Sequence, residues 1–431
     1  MRALPVRGRG VLAAGLCAAV ISVPLAGAAA ADGPAGHPTA SHATGGYATA
    51  RPAIGAASRR PLPRQLYAPY FETWTDNSIP AVASKSGARY FTLAFLQTPK
   101  KGSCTVTWNG DRKQAVRPGG RYVHGIARLR SMGGDVIPSF GGFSADQDGT
   151  EIADSCTSVR KIARAYENVV TSYGVTRLDM DVEARSLGRP AAITRRSEAI
   201  RLLQEWAART HRRVQIIFTL GVEPSGLPGN CLAVLKNAVA HGVRVTAVNL
   251  MAFDYYNSNS DSDMGTEALQ ALQAAHSQLT RLYPGATARR LWGMEGITLL
   301  PGIDDFPKKT EVTYLSEVQD IQYFARAHRL PMISIWAIQR DNGRCPGTID
   351  SNSCSGITQP RWAFSHLLEG YSAHYRRQQD PGSARSQPAG GGAGKSHGQR
   401  YELGLAARVQ PVRCDSFTFA GGFDIWAGVA C

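Results

Sequence analysis

Between Leu66 and Ile338 the chain repeats one alternation eight times, a short run suited to a β-strand followed by a longer amphipathic stretch. The strand-like runs are Leu66–Phe71, Tyr90–Leu96, Val136–Phe140, Arg177–Glu183, Val214–Leu220, Ala247–Tyr255, Leu291–Ile297 and Met332–Ile338. Between them, apolar residues recur at helical spacing. Ala199, Leu203, Trp206 and Ala207 form one such stripe, Leu269, Leu272, Leu279 and Leu282 a second, and Val318, Ile321 and Phe324 a third. Strands joined through helical crossovers pair in parallel and need helices over them. Eight such units over roughly 300 residues predict a closed (β/α)8 TIM barrel. An open doubly wound sheet is the alternative, but no Gly-rich phosphate fingerprint follows the first run.

The flanks have a different composition. Arg2, Arg7 and Arg9 precede an apolar run from Val11 to Ala30 with small residues at Ala29 and Ala31, the pattern of an export signal over residues 1–31. No other stretch is apolar enough to span a membrane. Residues 32–63 and 376–400 are rich in Ala, Gly, Pro and Ser and read as linkers. The segment 401–431 carries Phe417, Phe419, Phe423, Trp426 and two cysteines but is too short for a core of its own. The barrel is therefore expected over 64–375. The net charge of +15 is partly peripheral, with a surplus of six in residues 1–64 and three in 376–431. No dense basic run remains in the middle, which argues against nucleic-acid binding. Export places the remaining cysteines in an oxidising compartment. Cys345–Cys354, Cys414–Cys431 and Cys104–Cys156 are the expected pairs, leaving Cys231. Neither the cysteines nor the ten histidines show metal-ligand spacing, so no metal and no cofactor are expected.

Leu178–Glu183 reads Leu-Asp-Met-Asp-Val-Glu. On a strand, Asp179, Asp181 and Glu183 share one face, while Leu178, Met180 and Val182 share the other. Stacking three acids on the inward face of an apolar strand costs desolvation and repulsion. Proton chemistry is the reading that offsets this, with at least one acid held protonated. A solvated edge strand or a three-oxygen divalent-metal site are the alternatives. In a barrel, chemistry gathers at the C-terminal strand ends. Three other strand ends carry Ser139-Phe140-Gly141-Gly142, Met251 through Asn257, and Ile335-Trp336 through Arg340-Asp341.

Together these residues resemble glycoside hydrolase family 18, and secreted chitinases of actinobacterial type in particular. The acidic segment is similar to the family's D-x-x-D-x-D-x-E signature, with Thr176 in place of the first Asp. Ser139–Gly142 matches its S-x-G-G strand, Phe253-Asp254-Tyr255 resembles its M-x-Y strand, and the segment around Trp336 resembles its last strand. The similarity spans about Leu66 to Tyr371 and includes no large insertion subdomain. It implies Glu183 as general acid and then base. Asp181 would orient the substrate's acetamido group, Asp179 would share a proton with Asp181, and Tyr255 would hold the acetamido oxygen, with Tyr256 as the alternative. Trp336 would be the floor beneath the sugar, Asp254 and Arg340 polar contacts, Ser139 a support for Asp179, and Gly141 and Gly142 points of close backbone approach. The sugar's own acetamido carbonyl would serve as nucleophile, an exception to the two-carboxylate rule. The expected substrate is chitin or N-acetylglucosamine oligosaccharides, acted on by a secreted monomer. An endo-β-N-acetylglucosaminidase on glycoprotein glycans and a catalytically silent lectin are the competing functions. Retention of Glu183 argues against the lectin.

Overall fold

The computed structural model describes residues 62–256, 263–305, 309–349 and 352–372. The expected export signal, nearly all of the first linker, the second linker and the Cys414–Cys431 pair lie outside these residues. The eight expected strands are present and form one parallel, closed sheet. The first barrel strand consists of two pieces, Leu66–Tyr67 and Tyr70–Glu72. The first piece pairs with the eighth strand (Met332–Ile335) and the second with the second strand (Tyr90–Gln97). Pro69 lies at the break, where a residue without N–H interrupts the ladder at least cost. From there the sheet runs through the third strand (Asp135–Gly141), the fourth (Arg177–Asp181), the fifth (Gln215–Gly221), the sixth (Ala247–Met251) and the seventh (Glu295–Leu299), and back to the eighth.

The interior is layered, as strand alternation requires. The lower layer is apolar and contains Leu66, Ala68, Tyr90, Ile137, Ile217, Ala247 and Met332. One step of two residues higher on the same strands, the layer becomes polar, with Thr92, Ser139, Asp179, Thr219, Asn249 and Ser334 all buried. Outward-facing Leu178, Met180 and Val182 join the main core between the sheet and the helices. The three helical stripes lie on Pro190–Arg209, Met264–Leu282 and Leu315–His328, with Leu203, Leu272, Leu279, Val318 and Ile321 buried. The connection after the seventh strand adds only a small antiparallel ribbon, Gly302–Ile303 with Val312–Thr313, as expected without a large insertion.

Four strands have a boundary two or more residues away from expectation. The fourth strand stops at Asp181 and the eighth at Ile335. The seventh begins at Glu295, because Leu291 belongs to the short helix Ala288–Trp292. An apolar run alone does not separate a buried helical turn from a strand. The sixth ends at Met251, four residues short of Tyr255.

Cys104–Cys156 and Cys345–Cys354 are bonded, with Cα separations of 4.8 and 6.1 Å, and Cys231 is free and buried. Cys345–Cys354 closes the loop after the eighth strand, and a loop of this length restricts the unfolded chain by about 2–3 kcal/mol. Replacing both cysteines with serine should lower unfolding stability by that amount in urea titration. An unchanged midpoint would show that the bridge restrains nothing in the unfolded state.

Candidate active site

The polar layer cradles Asp179. Ser139 Oγ donates to Asp179 Oδ2 at 2.7 Å, Tyr70 Oη to the same oxygen at 2.9 Å, and Thr219 Oγ1 to Oδ1 at 2.7 Å. Asn249 Nδ2 donates to Thr219 Oγ1 at 3.1 Å, which leaves the threonine proton for Asp179. Burial pushes the Asp179 carboxyl up to about 6, against the pull of these hydroxyls. Asp181 lies one step higher and is 2 % exposed. Burial, then the charges of Glu183, Asp179 and Asp146, raise its pKa well above the carboxylate range. Its Oδ1 is buried and has no hydrogen-bond partner in the protein. Asp181 therefore titrates together with Glu183 and Asp179 rather than alone, with its protonated form favoured.

Glu183 is two residues past the end of the fourth strand and leads into a short 3-10 turn, Ala184–Gly188. Its backbone N–H is held by Asp146 Oδ2, on the helical segment Phe143–Asp148 that follows the third strand. Burial pushes the Glu183 carboxyl up to about 7, with the Phe143 backbone N–H acting against it. A group with that pKa can give a proton and take one back at neutral pH. If Glu183 must start protonated, kcat/KM should fall as pH rises through about 7, since the acid form exists below the pKa and is lost above it. A profile flat up to pH 9 would remove Glu183 from that role.

A cavity of about 540 Å³ opens above these acids. Asp181, Glu183, Gly141, Phe253, Asp254, Tyr256, Trp336 and Arg340 all contribute to its lining. Trp336 is half-buried, stacked on Phe95 at 5.5 Å and 15°, and 5.5 Å from the Tyr70 ring. Trp74 extends this aromatic wall, 6.1 Å from Trp336, and is 46 % exposed. Such a surface suits the flat apolar face of a sugar ring. Gly141 has φ 100°, and a Cβ there would lie 2.0 Å from the Asp181 carbonyl oxygen, so only glycine fits between the third and fourth strands.

Asp254 is pushed up to about 10, by burial first and then by its hydrogen bonds to, and the charges of, the neighbouring Asp304 and Asp305, so it holds a proton at neutral pH. These three acids bring carboxylate oxygens within 4.8 Å of one another. Among the described residues the strand triplet forms no such set, so the three-oxygen metal reading of Asp179, Asp181 and Glu183 has no geometric support.

Three expected contacts differ. Tyr255 does not line the cavity; its ring packs against the core and its hydroxyl is buried, near Glu267 and Glu311. The physical reason is the early end of the sixth strand. Beyond Met251 the period of two no longer holds, and Asp254 and Tyr256 take φ of 54° and 56°, which turns Tyr256 toward the cavity. Gly142 packs against the Phe95 ring rather than lining the cavity. Arg340 is 2 % exposed, and its guanidinium donates to the Pro301 and Ile303 carbonyls, so it chiefly secures the loop after the seventh strand. The sequence reading missed Tyr70, Thr219 and Asn249. Their signal was present, since each is the inward residue at the level of Asp179. It missed Asp146 as well, for which a short polar helix offers no signal.

The family model for glycosyl hydrolases family 18 matches residues 67–287, just over half of the chain. A probable bifunctional chitinase/lysozyme of Escherichia coli (strain K12) is 31 % identical over 320 residues, covering 71 % of this chain and 34 % of that protein. Endochitinase 11 of Metarhizium anisopliae is 32 % identical over 289 residues, covering 65 % of this chain and 53 % of its own length. The chain thus spans about a third and about half of these two relatives. The catalytic domain of a hyperthermophilic chitinase from Pyrococcus furiosus superposes with a TM-score of 0.61 at 27 % identity, over 73 % of this chain and 97 % of that one. A closed parallel barrel, an acid ladder at the mouth of its fourth strand and this family match lead to one conclusion: the chain belongs to glycosyl hydrolases family 18.

Proposed function

We propose that this protein is a secreted, monomeric chitinase of the actinobacterial type, hydrolysing β-1,4 linkages between N-acetylglucosamine units with retention of configuration. The observation that carries the reading is the pairing of Glu183, pushed up to about 7, with Asp181, whose Oδ1 is unclaimed by the protein, at one cavity. Glu183 protonates the glycosidic oxygen and then activates water. Asp181 receives the acetamido N–H on its unclaimed oxygen and shares a proton with Asp179. Trp336 supports the sugar ring. Tyr256 holds the acetamido oxygen, the role first expected of Tyr255, and Asp254 lines the same side of the cavity as a polar contact. The N-terminal sequence pattern supports the export part of this reading.

The test is product analysis with N-acetylglucosamine pentamer and hexamer beside a glycoprotein and peptidoglycan, the last because the Escherichia coli relative is named as a chitinase/lysozyme. Cleavage of the oligomers alone is expected, with Tyr256→Phe slowed about tenfold or more by loss of one transition-state hydrogen bond. Release of glycans from the glycoprotein with intact oligomers would replace this reading with the endo-N-acetylglucosaminidase.

A further inference from the structure

The chain leaves the barrel sheet just where it carries the acid. The Val182 N–H still joins the ladder, on the Thr219 carbonyl at 3.0 Å. The next N–H, that of Glu183, takes a side chain as its acceptor, Asp146 Oδ2. Glu183 then opens the turn Ala184–Gly188. Two carboxyls from one stretch of chain hold this turn. Asp146, on the segment Phe143–Asp148, takes the Glu183 N–H, and Asp154, on the short helix Ile152–Ser155, takes the Ser186 hydroxyl. Arg196 approaches both from the long helix Pro190–Arg209. It is 1 % exposed, and its Nη2 donates to Glu151 Oε2 at 2.8 Å. The same Glu151 oxygen accepts the Ala153 and Asp154 N–H groups, so it also caps the helix that carries Asp154.

A fully buried carboxyl costs more than an apolar side chain of its size, unless its oxygens hold something that must be held. Asp146 is such a group. Its Oδ2 reaches 37 positions along the chain to Glu183, and its Oδ1 is buried without a hydrogen-bond partner. Burial first, and then the Glu151 charge, raise its pKa well above the carboxylate range, against Arg196 and the Glu183 N–H; the Glu183 charge raises it further. The neutral form is favoured, so what Asp146 gives Glu183 is an acceptor in a fixed place. Burial opposes the charge of Arg196, and Glu151, Asp146, Tyr166 and Asp154 outweigh it. One charged guanidinium thus lets three carboxyls pack beneath the turn of the acid. Placement matters there, since a reacting group displaced by about 1 Å can lose on the order of 10² in rate.

We infer that Asp146 is a positioning residue for the cleavage reaction, acting through Glu183: it holds the main chain of the acid so that the carboxyl is aimed at the glycosidic oxygen, with Arg196 and Glu151 as its buried support. The inference rests on the reading of Glu183 as the acid. The experiment compares two substrates, the N-acetylglucosamine pentamer, whose leaving sugar needs the proton, and the 4-nitrophenyl glycoside of the dimer, whose leaving phenolate needs little. Asp146→Ala should lower kcat/KM on the pentamer about tenfold or more and on the nitrophenyl glycoside less than about threefold. The pentamer loss should lie in kcat, with KM changed by less than about twofold. Asp146→Asn, which keeps an acceptor oxygen for the Glu183 N–H, should recover most of the pentamer rate. Ser186→Ala releases the second anchor of the same turn without opening a large cavity, and it should show the same contrast between substrates at smaller size, so the inference stays testable even where Asp146→Ala does not fold. Equal losses on both substrates, an asparagine variant as slow as the alanine one, or a pentamer rate unaffected by both Asp146→Ala and Ser186→Ala overturns the role of Asp146 and leaves Glu183 as the acid. If the unaltered protein cleaves neither substrate, the chitinase reading falls and this inference with it.

Discussion

Glu183→Gln should abolish hydrolysis of chitin oligomers while leaving their binding intact. The substitution preserves shape and removes only the titratable proton. Loss of a general acid costs about 10² to 10⁴ in rate, and the leaving sugar alkoxide is poor enough to place this enzyme at the upper end. Oligomer affinity should stay near that of the unaltered protein, because the Trp336, Trp74 and Phe95 wall is unchanged. The same variant should be more stable at neutral pH. Glu183 ionises near 4.5 as a free side chain and near 7 in the fold, so its contribution to stability is full below about 4.5 and is lost as pH rises through about 7. Glutamine has no such loss. A variant that keeps more than a tenth of the turnover would dismiss Glu183 as the acid.

The second large effect concerns the nucleophile. An N-acetylglucosamine oligomer should be cut with retention, and the fully deacetylated oligomer should not be cut at a comparable rate. An enzyme that forms a glycosyl ester needs an ionised carboxylate about 5 Å from the acid, across the sugar ring. Beside Glu183 three carboxyls line the cavity, Asp181 from the same strand, Asp254 from the loop after the sixth and Asp305 from the loop after the seventh; Asp181 and Asp254 are held protonated, and Asp305 is engaged by Asp254. A protonated carboxyl is a poor nucleophile but a good clamp. Asp181 can hold the acetamido group with its carbonyl oxygen next to the anomeric carbon, where a neighbouring group has a high effective concentration. The expected intermediate is a cyclic oxazolinium formed by the substrate. Asp181→Asn should slow turnover and weaken competitive inhibition by a thiazoline analogue of that intermediate. Proton NMR of the first product decides the stereochemistry. An initial α-anomer would refute the mechanism, and comparable cleavage of deacetylated chains would remove the role given to Asp181.

The barrel was legible because its signal is repeated. Eight short β-type runs separated by helical stripes leave few architectures, and errors in single boundaries do not alter the count. Leu291 shows the cost of reading an apolar run alone, since it packs from a helix and not from the seventh strand. The acid ladder was legible because a period of two is a local property of extended backbone: Asp179 and Asp181 must share a face wherever that strand goes. The same rule failed at Tyr255, where the backbone had already left the extended region and positive φ at Asp254 and Tyr256 reversed which ring faces the cavity.

The sequence by itself determined the closed barrel, the acid ladder of the fourth strand and the Cys345–Cys354 bridge, because each follows from local periodicity or from short separation along the chain, whereas Cys104–Cys156 joins residues 52 apart. Only the tertiary structure decided what those acids become. Tyr70, Ser139 and Thr219 come from three other strands to hold Asp179, and Asp146 comes from a helix to hold the Glu183 backbone. One oxygen of the Glu72 carboxyl, Oε1, is likewise left without a hydrogen-bond partner by the packing around it. Protonation state depends on burial and on charges a few ångströms away in space, and neither quantity is encoded by neighbours in sequence.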